Sequence, residues 1–323
     1  MTKKGCASLS LLLSLAAAPV AHAQCVPPAG RYAGPLFDAM AQIDGGMEAV
    51  VLRSLDASGV ARMALFGRDK GRRSGAPAVA YLARERPGVF VVGAPKRFDQ
   101  RVDLSGDYVR AILAGARSRE YAFVGEILFA HADKARGEQT ADGERYADPA
   151  QSGTRRLLEG LKDLGIPVMA HWEVYDWDRD WPGFKRLYAD YPGQVFIWPH
   201  AGFGSAAQVA EVLADRSNVV VTLSKKEESN RALSDRGKAG LLGDALVDEC
   251  GTLRPEWRSL LLKHADRFLF ATDAHKDFRW ERYARIVERW RAILAQLPPE
   301  TAAAMAYRNA ERLYAPGGGT VRQ

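Results

Sequence analysis

The chain has 323 residues, 47% of them hydrophobic and 26% charged, a balance that fits a globular protein rather than a disordered or membrane one and is enough for one large α/β barrel or two ordinary domains. Its formal charge of +6 is mild and its basic residues are scattered rather than striped, so nucleic-acid binding is not expected. Past the first 23 residues no segment is long and apolar enough to be a membrane span.

Residues 1–23 read as a Sec-type signal peptide. Lys3 and Lys4 form a basic start, Leu9 to Val20 an apolar stretch, and Ala21-His22-Ala23 a small-residue cleavage site. The residues before Cys25 do not make a lipid-attachment motif. The expected mature protein is periplasmic or secreted, without membrane attachment, and forms one domain over 24–323. Losing Lys3 and Lys4 lowers its formal charge from +6 to +4. The leader also carries off Cys6, leaving Cys25 and Cys250. Two cysteines in an oxidising compartment invite a disulfide, the alternative being two separate thiols.

From Gly30 onward one rhythm repeats: a short apolar run, a turn, an amphipathic helical stretch. Strands are expected over Pro35–Ile43, Ala61–Gly67, Val89–Ala94 and Ala122–Phe129, with helices over Glu48–Ser58, Ala78–Arg86 and Asp107–Ala116 between them. Asp133 to Ala150 reads as an irregular loop over a site. A helix over Thr154–Leu164 then leads to a fifth strand, Ile166–Val174. A short helix, Phe184–Asp190, precedes the sixth strand, Gln194–His200. The helix Ala206–Asp215 leads to the seventh strand, Asn218–Ser224. Residues 225–253 form a polar excursion before a helix over Pro255–His264 and the eighth strand from Phe268. Helices over Phe278–Leu297 and Pro299–Tyr314 follow, and Gly317-Gly318-Gly319 opens a loose tail.

Eight strands alternating with helices predict a parallel sheet, and right-handed crossovers let eight such units close into a (β/α)8 TIM barrel. An open doubly wound sheet is the competitor, but no Gly-x-Gly-x-x-Gly follows the first strand. In a barrel, chemistry collects at the C-terminal ends of strands. The polar residues that fall there are Glu126 on the fourth strand, His171 on the fifth, His200 on the sixth and Asp273 on the eighth. Each interrupts or ends an apolar run, where a polar group is costly unless partnered. Each also has a plainer explanation, as a helix cap for Asp273 or a hydrogen-bonded core side chain for the histidines. Together two imidazoles and two carboxylates suit Zn²⁺ or a similar divalent ion. Weaker candidates for contact with a small-molecule substrate are Lys96 after the third strand, Lys225 after the seventh, and Trp172 with its aromatic neighbours Tyr175 and Trp177 after the fifth. His131 and His275, just past strand ends, are possible supporting donors.

In Val124-Gly125-Glu126-Ile127, the strand-five His171, Pro199-His200-Ala201-Gly202, Ala271-Thr272-Asp273-Ala274 and Asn309-Ala310-Glu311-Arg312-Leu313, the chain resembles the amidohydrolase superfamily, specifically its amidohydrolase-related branch, across nearly all of 35–315. The resemblance implies a divalent metal at the barrel mouth that activates water. His171 would be a ligand, His200 a ligand or general acid/base, and Asp273 a ligand that accepts a proton from the attacking water. The departure is on strand one, where the family places His-x-His after an Asp. Here the stretch reads Asp38-Ala39-Met40-Ala41-Gln42, so Met40 and Gln42 stand in place of two imidazoles. A thioether and a neutral carbonyl are poor substitutes for a divalent ion. Three functions follow: a hydrolase with one ion on Glu126, His171 and His200 and with Asp273 nearby; a metal-free enzyme in which His200 and Asp273 work on a substrate such as a lactone; or a binding protein that lost turnover.

Overall fold

The computed structural model describes residues 25–69, 74–97, 104–133, 140–228 and 244–319. The expected leader and part of the 225–253 excursion lie outside the described residues. The strands are β1 (Phe37–Ile43), β2 (Arg62–Asp69), β3 (Phe90–Arg97), β4 (Phe123–Asp133), β5 (Thr140–Tyr146), β6 (Val168–Trp172), β7 (Phe196–Trp198), β8 (Val219–Thr222) and β9 (Phe268–Leu269). They form one sheet in the order β1-β2-β3-β4-β6-β7-β8-β9, with β5 off this path on β4. Every pairing is parallel except β4 with β5.

A seam between the ends closes the barrel. Ala41 bridges Ala274 in parallel. The Ala39 N–H donates to Phe270 O, the Asp273 N–H to Met40 O, and the Gln42 N–H to Ala274 O. The protein is therefore a (β/α)8 barrel, with its active-site end at the C-termini of the strands.

Two apolar layers make the core. The larger packs the outward strand faces under the helices, with Ile43, Leu65, Val168, Trp172, Trp198 and Phe268 among its members. The smaller fills the barrel itself with Phe37, Met40, Phe66, Phe123, Met169 and Leu269. Tyr314 of the last helix (Asn309–Tyr314) plugs this interior, its ring 5.7 Å from Phe37 and 5.0 Å from Phe123 and its hydroxyl donating to Ala39 O.

Side chains alternate across a strand, yet Phe37 and Gln42 both face inward five residues apart. A register shift between Asp38 and Ala41 restores the parity. The same device operates on β4, where a shift between Val124 and Ile127 brings Glu126 to the side of Phe123. Such bulges re-aim side chains, and barrel rims commonly carry them.

Several expectations are corrected. The Asp133–Ala150 stretch is not all loop: β5 occupies Thr140–Tyr146 and pairs antiparallel with the extended end of β4. The helix expected from Phe184 begins at Trp177 and runs through Pro182, because its start is capped by Asp176 accepting from the Arg179 N–H and its apolar face packs inward. The helix expected over Phe278–Leu297 is two, Asp277–Glu281 and Tyr283–Leu294, broken at Arg282. The three glycines after the last helix are not loose. The Gly319 N–H donates to Gly165 O and Gly319 O accepts from the Val195 N–H.

Cys25 and Cys250 form a disulfide, with Cα atoms 5.0 Å apart. Among the described residues no helix is long and apolar enough to cross a membrane.

Candidate active site

Three strands and the segments after three others deliver one buried ionic cluster at the mouth. β4 presents Glu126, β6 presents His171, and β1 presents Gln42. The segment after β7 carries His200, that after β8 carries Ser224 and Lys225, and that after β9 carries Asp273 and His275. The backbone here is held in unusual conformations. Seven non-glycine residues among those described have positive φ, and His200, Ala201, Phe203, Lys225 and Asp273 are five of them. Such strain persists only where surroundings over-determine it, and it gathers at functional sites. At Asp273 the fixing contacts are those of Asp38. Its Oδ1 accepts from the Thr272 N–H at 3.0 Å, and its Oδ2 from the Thr272 hydroxyl at 2.6 Å and the Tyr283 hydroxyl at 2.9 Å.

Glu126 Oε1 lies 2.5 Å from His171 Nδ1, and Oε2 is paired with Lys96 and lies 3.4 Å from Gln42 Nε2. Burial alone would raise its pKa, but Lys96, then His171, hold it well below the usual carboxylate range. Asp273 Oδ1 accepts from Gln42 Nε2 at 2.5 Å, and Oδ2 is 2.5 Å from Lys225 Nζ and 3.3 Å from His275 Nδ1. Burial is again opposed, here by Lys225, His275 and His200, and the carboxylate stays ionised. His171 Nε2 sits 3.0 Å from Glu173 Oε1. Burial would lower its pKa, but Glu126 and Glu173 raise it above the ordinary value. His200 goes the other way: burial, then Lys225, push it down to about 4. It is neutral at pH 7, with Nδ1 2.8 Å from Ser224 Oγ. Its Nε2 is 3.6 Å from Glu126 Oε1 and 3.9 Å from Asp273 Oδ2, beyond hydrogen-bond length to either.

The structure thus gathers Glu126, His171, His200 and Asp273, together with both lysines singled out from the sequence. Lys96 has a different position from the one expected. Its side chain is 6% exposed and its ammonium is spent on Glu126, so it does not face a substrate. Lys225 is 22% exposed and stays within reach of one. Trp172 is no pocket wall. It is fully buried on the helical side, stacked on Trp198 at 4.6 Å and Phe184 at 4.5 Å, with its indole N–H donating to the Tyr188 hydroxyl, because on β6 it alternates with the inward His171. Glu173 is not among the residues the sequence singles out, although it follows directly on β6 and, two residues after His171, points to the same side.

Two groups of residues bring ligand atoms within 4.8 Å of one another, as a metal site requires: Glu126, His171 and His200, and His131, His171 and Glu173. The first does not accommodate a divalent ion in this ionic arrangement. Both oxygens of Glu126 and both of Asp273 already face donors, two of them lysine ammonium groups. An ion on Glu126 would meet Lys96 at short range, where like charges repel strongly in a low-dielectric interior. The carboxylates Glu126, Asp273 and Glu173 are balanced by Lys96, Lys225 and His171.

Comparison with known proteins agrees with this architecture. The amidohydrolase family model matches residues 21–315. An uncharacterised TIM-barrel protein from Bordetella bronchiseptica superposes with a TM-score of 0.55 at 16% identity, covering 83% of this chain and 82% of that one. A probable 2-pyrone-4,6-dicarboxylic acid hydrolase from Acinetobacter baumannii, with citric acid bound, gives 0.55 at 10% identity over 86% and 98%. A D-hydantoinase from a Bacillus species gives 0.53 at 14% identity over 91% and 74%. At these identities the likeness is one of fold. No curated protein matches the sequence.

Proposed function

The chain belongs to the amidohydrolase family, and we propose that it is a hydrolase of a small polar ester, lactone or amide that works with its own charged groups. The observation that carries this is the ionised, buried Asp273 carboxylate between Lys225, His275, Gln42 and the neutral His200. Asp273 accepts the proton of the water that attacks the carbonyl carbon. His200, whose Nε2 faces Asp273, relays that proton to the leaving group. Lys225 stands where negative charge collects on the carbonyl oxygen, and a fixed cation there lowers the barrel-mouth cost of that charge. Gln42, aimed by its amide nitrogen at two carboxylates, leaves Oε1 buried without a hydrogen-bond partner among the described residues, an acceptor suited to a substrate O–H or N–H.

The divalent ion that the family implies, Zn²⁺ first among them, would draw on Glu126, His171, His200 and Asp273 and supply an activated water; the pairing of Glu126 with Lys96 stands against it. Export to the periplasm or exterior is part of the proposal, supported by the disulfide and tested by fractionation of cells expressing the full chain.

The catalytic assignment is tested by screening esters, lactones and amides and then replacing Asp273 with Asn. A fall in kcat of about 10²-fold or more is expected from losing an essential proton acceptor. Activity indifferent to Asp273→Asn would not come from this site, and tight ligand binding without turnover would make the protein a binding module instead.

A further inference from the structure

We infer that Lys96 is a built-in cation occupying the place of a metal ion, and that this barrel holds no divalent metal at its mouth in its working state. This deepens the hydrolase assignment and rests on it for what the site does, while its test is independent of turnover.

Three observations converge. The first is position. Lys96 lies at the C-terminal end of β3, next to β4, and its ammonium is on Glu126 Oε2. Glu126 is the carboxylate of the Glu126–His171–His200 group, the fully buried one of the two that bring ligand atoms together. The second is saturation. Gln42, from the strand where the resemblance calls for histidines, turns its amide nitrogen rather than its oxygen toward Glu126 and Asp273. With an ion present, carboxylates and amide would share a cation; here the amide N–H groups are the donors that a carboxylate needs when no ion is bound. The third is charge. Lys225 repeats the arrangement at Asp273, so Glu126 and Asp273 each have their own ammonium, while Glu173 of the second group faces His171, both of whose ring nitrogens already meet carboxylates. A buried charge is tolerated when paired and hydrogen-bonded, and this cluster meets that condition from the chain alone.

The lysine stand-in has a chemical consequence. An ammonium neutralises a carboxylate but does not offer an open coordination position to water. The attacking water must then be activated by a carboxylate, which is the role given to Asp273 above.

The test is the metal content of full-length protein, purified without a His tag from zinc-supplemented cells and measured by mass spectrometry of the elements, with melting temperature recorded on adding Zn²⁺ or Mn²⁺. Wild type should carry well under one tenth of an equivalent and show no shift in Tm; about one equivalent that survives dialysis overturns the inference. Lys96→Met, which keeps the length of the side chain and removes its charge, should take up about one equivalent of Zn²⁺ and gain roughly 4 °C in Tm with it. A folded Lys96→Met that ignores Zn²⁺ also overturns it, because then the lysine is not what excludes the ion. Lys96→Met with Glu126→Gln removes both charges of the pair and should fold without binding metal. It guards against a single variant that fails to fold. If hydrolysis is never detected yet these metal results hold, the hydrolase assignment fails and the lysine substitution stands.

Discussion

At the scale of single residues, the chemistry of this mouth is decided by which buried groups keep their charge. Asp38 shows the logic away from the reacting centre. Burial pushes its pKa up to about 6, against partial relief from Thr272, Tyr283 and Met40 donors. A carboxyl whose folded pKa lies above its unfolded value favours the folded state at low pH, and that contribution is lost as pH rises through about 6. Asn at this position can keep accepting from the Thr272 and Met40 N–H groups while its amide meets the two hydroxyls, which can turn to accept. Asp38→Asn should therefore gain stability relative to wild type between pH 4 and 7, read as a difference in Tm that grows with pH; a flat difference would refute it. His200 contributes with the opposite sign. Its folded pKa of about 4 lies below the ordinary 6.5, so its share of stability is full above 6.5 and lost as pH falls toward 4.

Side-chain identity made Glu126, His171, His200 and Asp273 legible from the sequence alone, because a charged or imidazole residue at the end of an apolar run has few cheap explanations. Lys96 and Lys225 were visible too, but not their partners. A lysine after a strand reads as a solvated cation until the fold shows a buried carboxylate beside it. Gln42 stands out in the sequence only against the family resemblance, and its part as a donor to two carboxylates emerges from geometry alone.

At the scale of elements, strand and helix order followed the hydrophobic rhythm, with ends displaced by a few residues. What the rhythm could not show were the features that break periodicity. The helix through Pro182 and the strand Thr140–Tyr146 both run against local composition and are held by tertiary contacts. The bulge on β4 is another such feature, and it places Glu126. Gly125 permits it, since a Cβ there would collide with the carbonyl oxygen of Ala94 and press on the Phe66 ring. Gly125→Ala should cost about 1–3 kcal/mol, as overpacking does, and should lower hydrolysis by moving Glu126 off His171. Denaturant midpoints and rates measured on the same preparation test both effects; an alanine variant as stable and active as wild type would show that the bulge does not need glycine.

At the scale of the whole molecule, one covalent link joins segments 225 residues apart in sequence. A loop of that length places the disulfide toward the upper end of the usual stabilisation, about 2–5 kcal/mol, through restriction of the unfolded chain. Reduction should lower Tm, and Cys250→Ser should reproduce the reduced value without responding to reductant. Equal melting of oxidised and reduced protein would show that the link adds nothing to stability.

The seam between β1 and β9 bears on how the protein is made. Its first strand waits for its last neighbour, because the backbone bonds from Ala39, Gln42 and Asp273 cannot form until synthesis has passed Ala274. Until then the edge of β1 is an unpaired row of N–H and C=O groups, a template for other chains. Contacts so distant in sequence form slowly. Barrel completion is thus a late event in the life of each molecule, and a chain truncated before residue 268 should accumulate as aggregate rather than as a smaller folded domain.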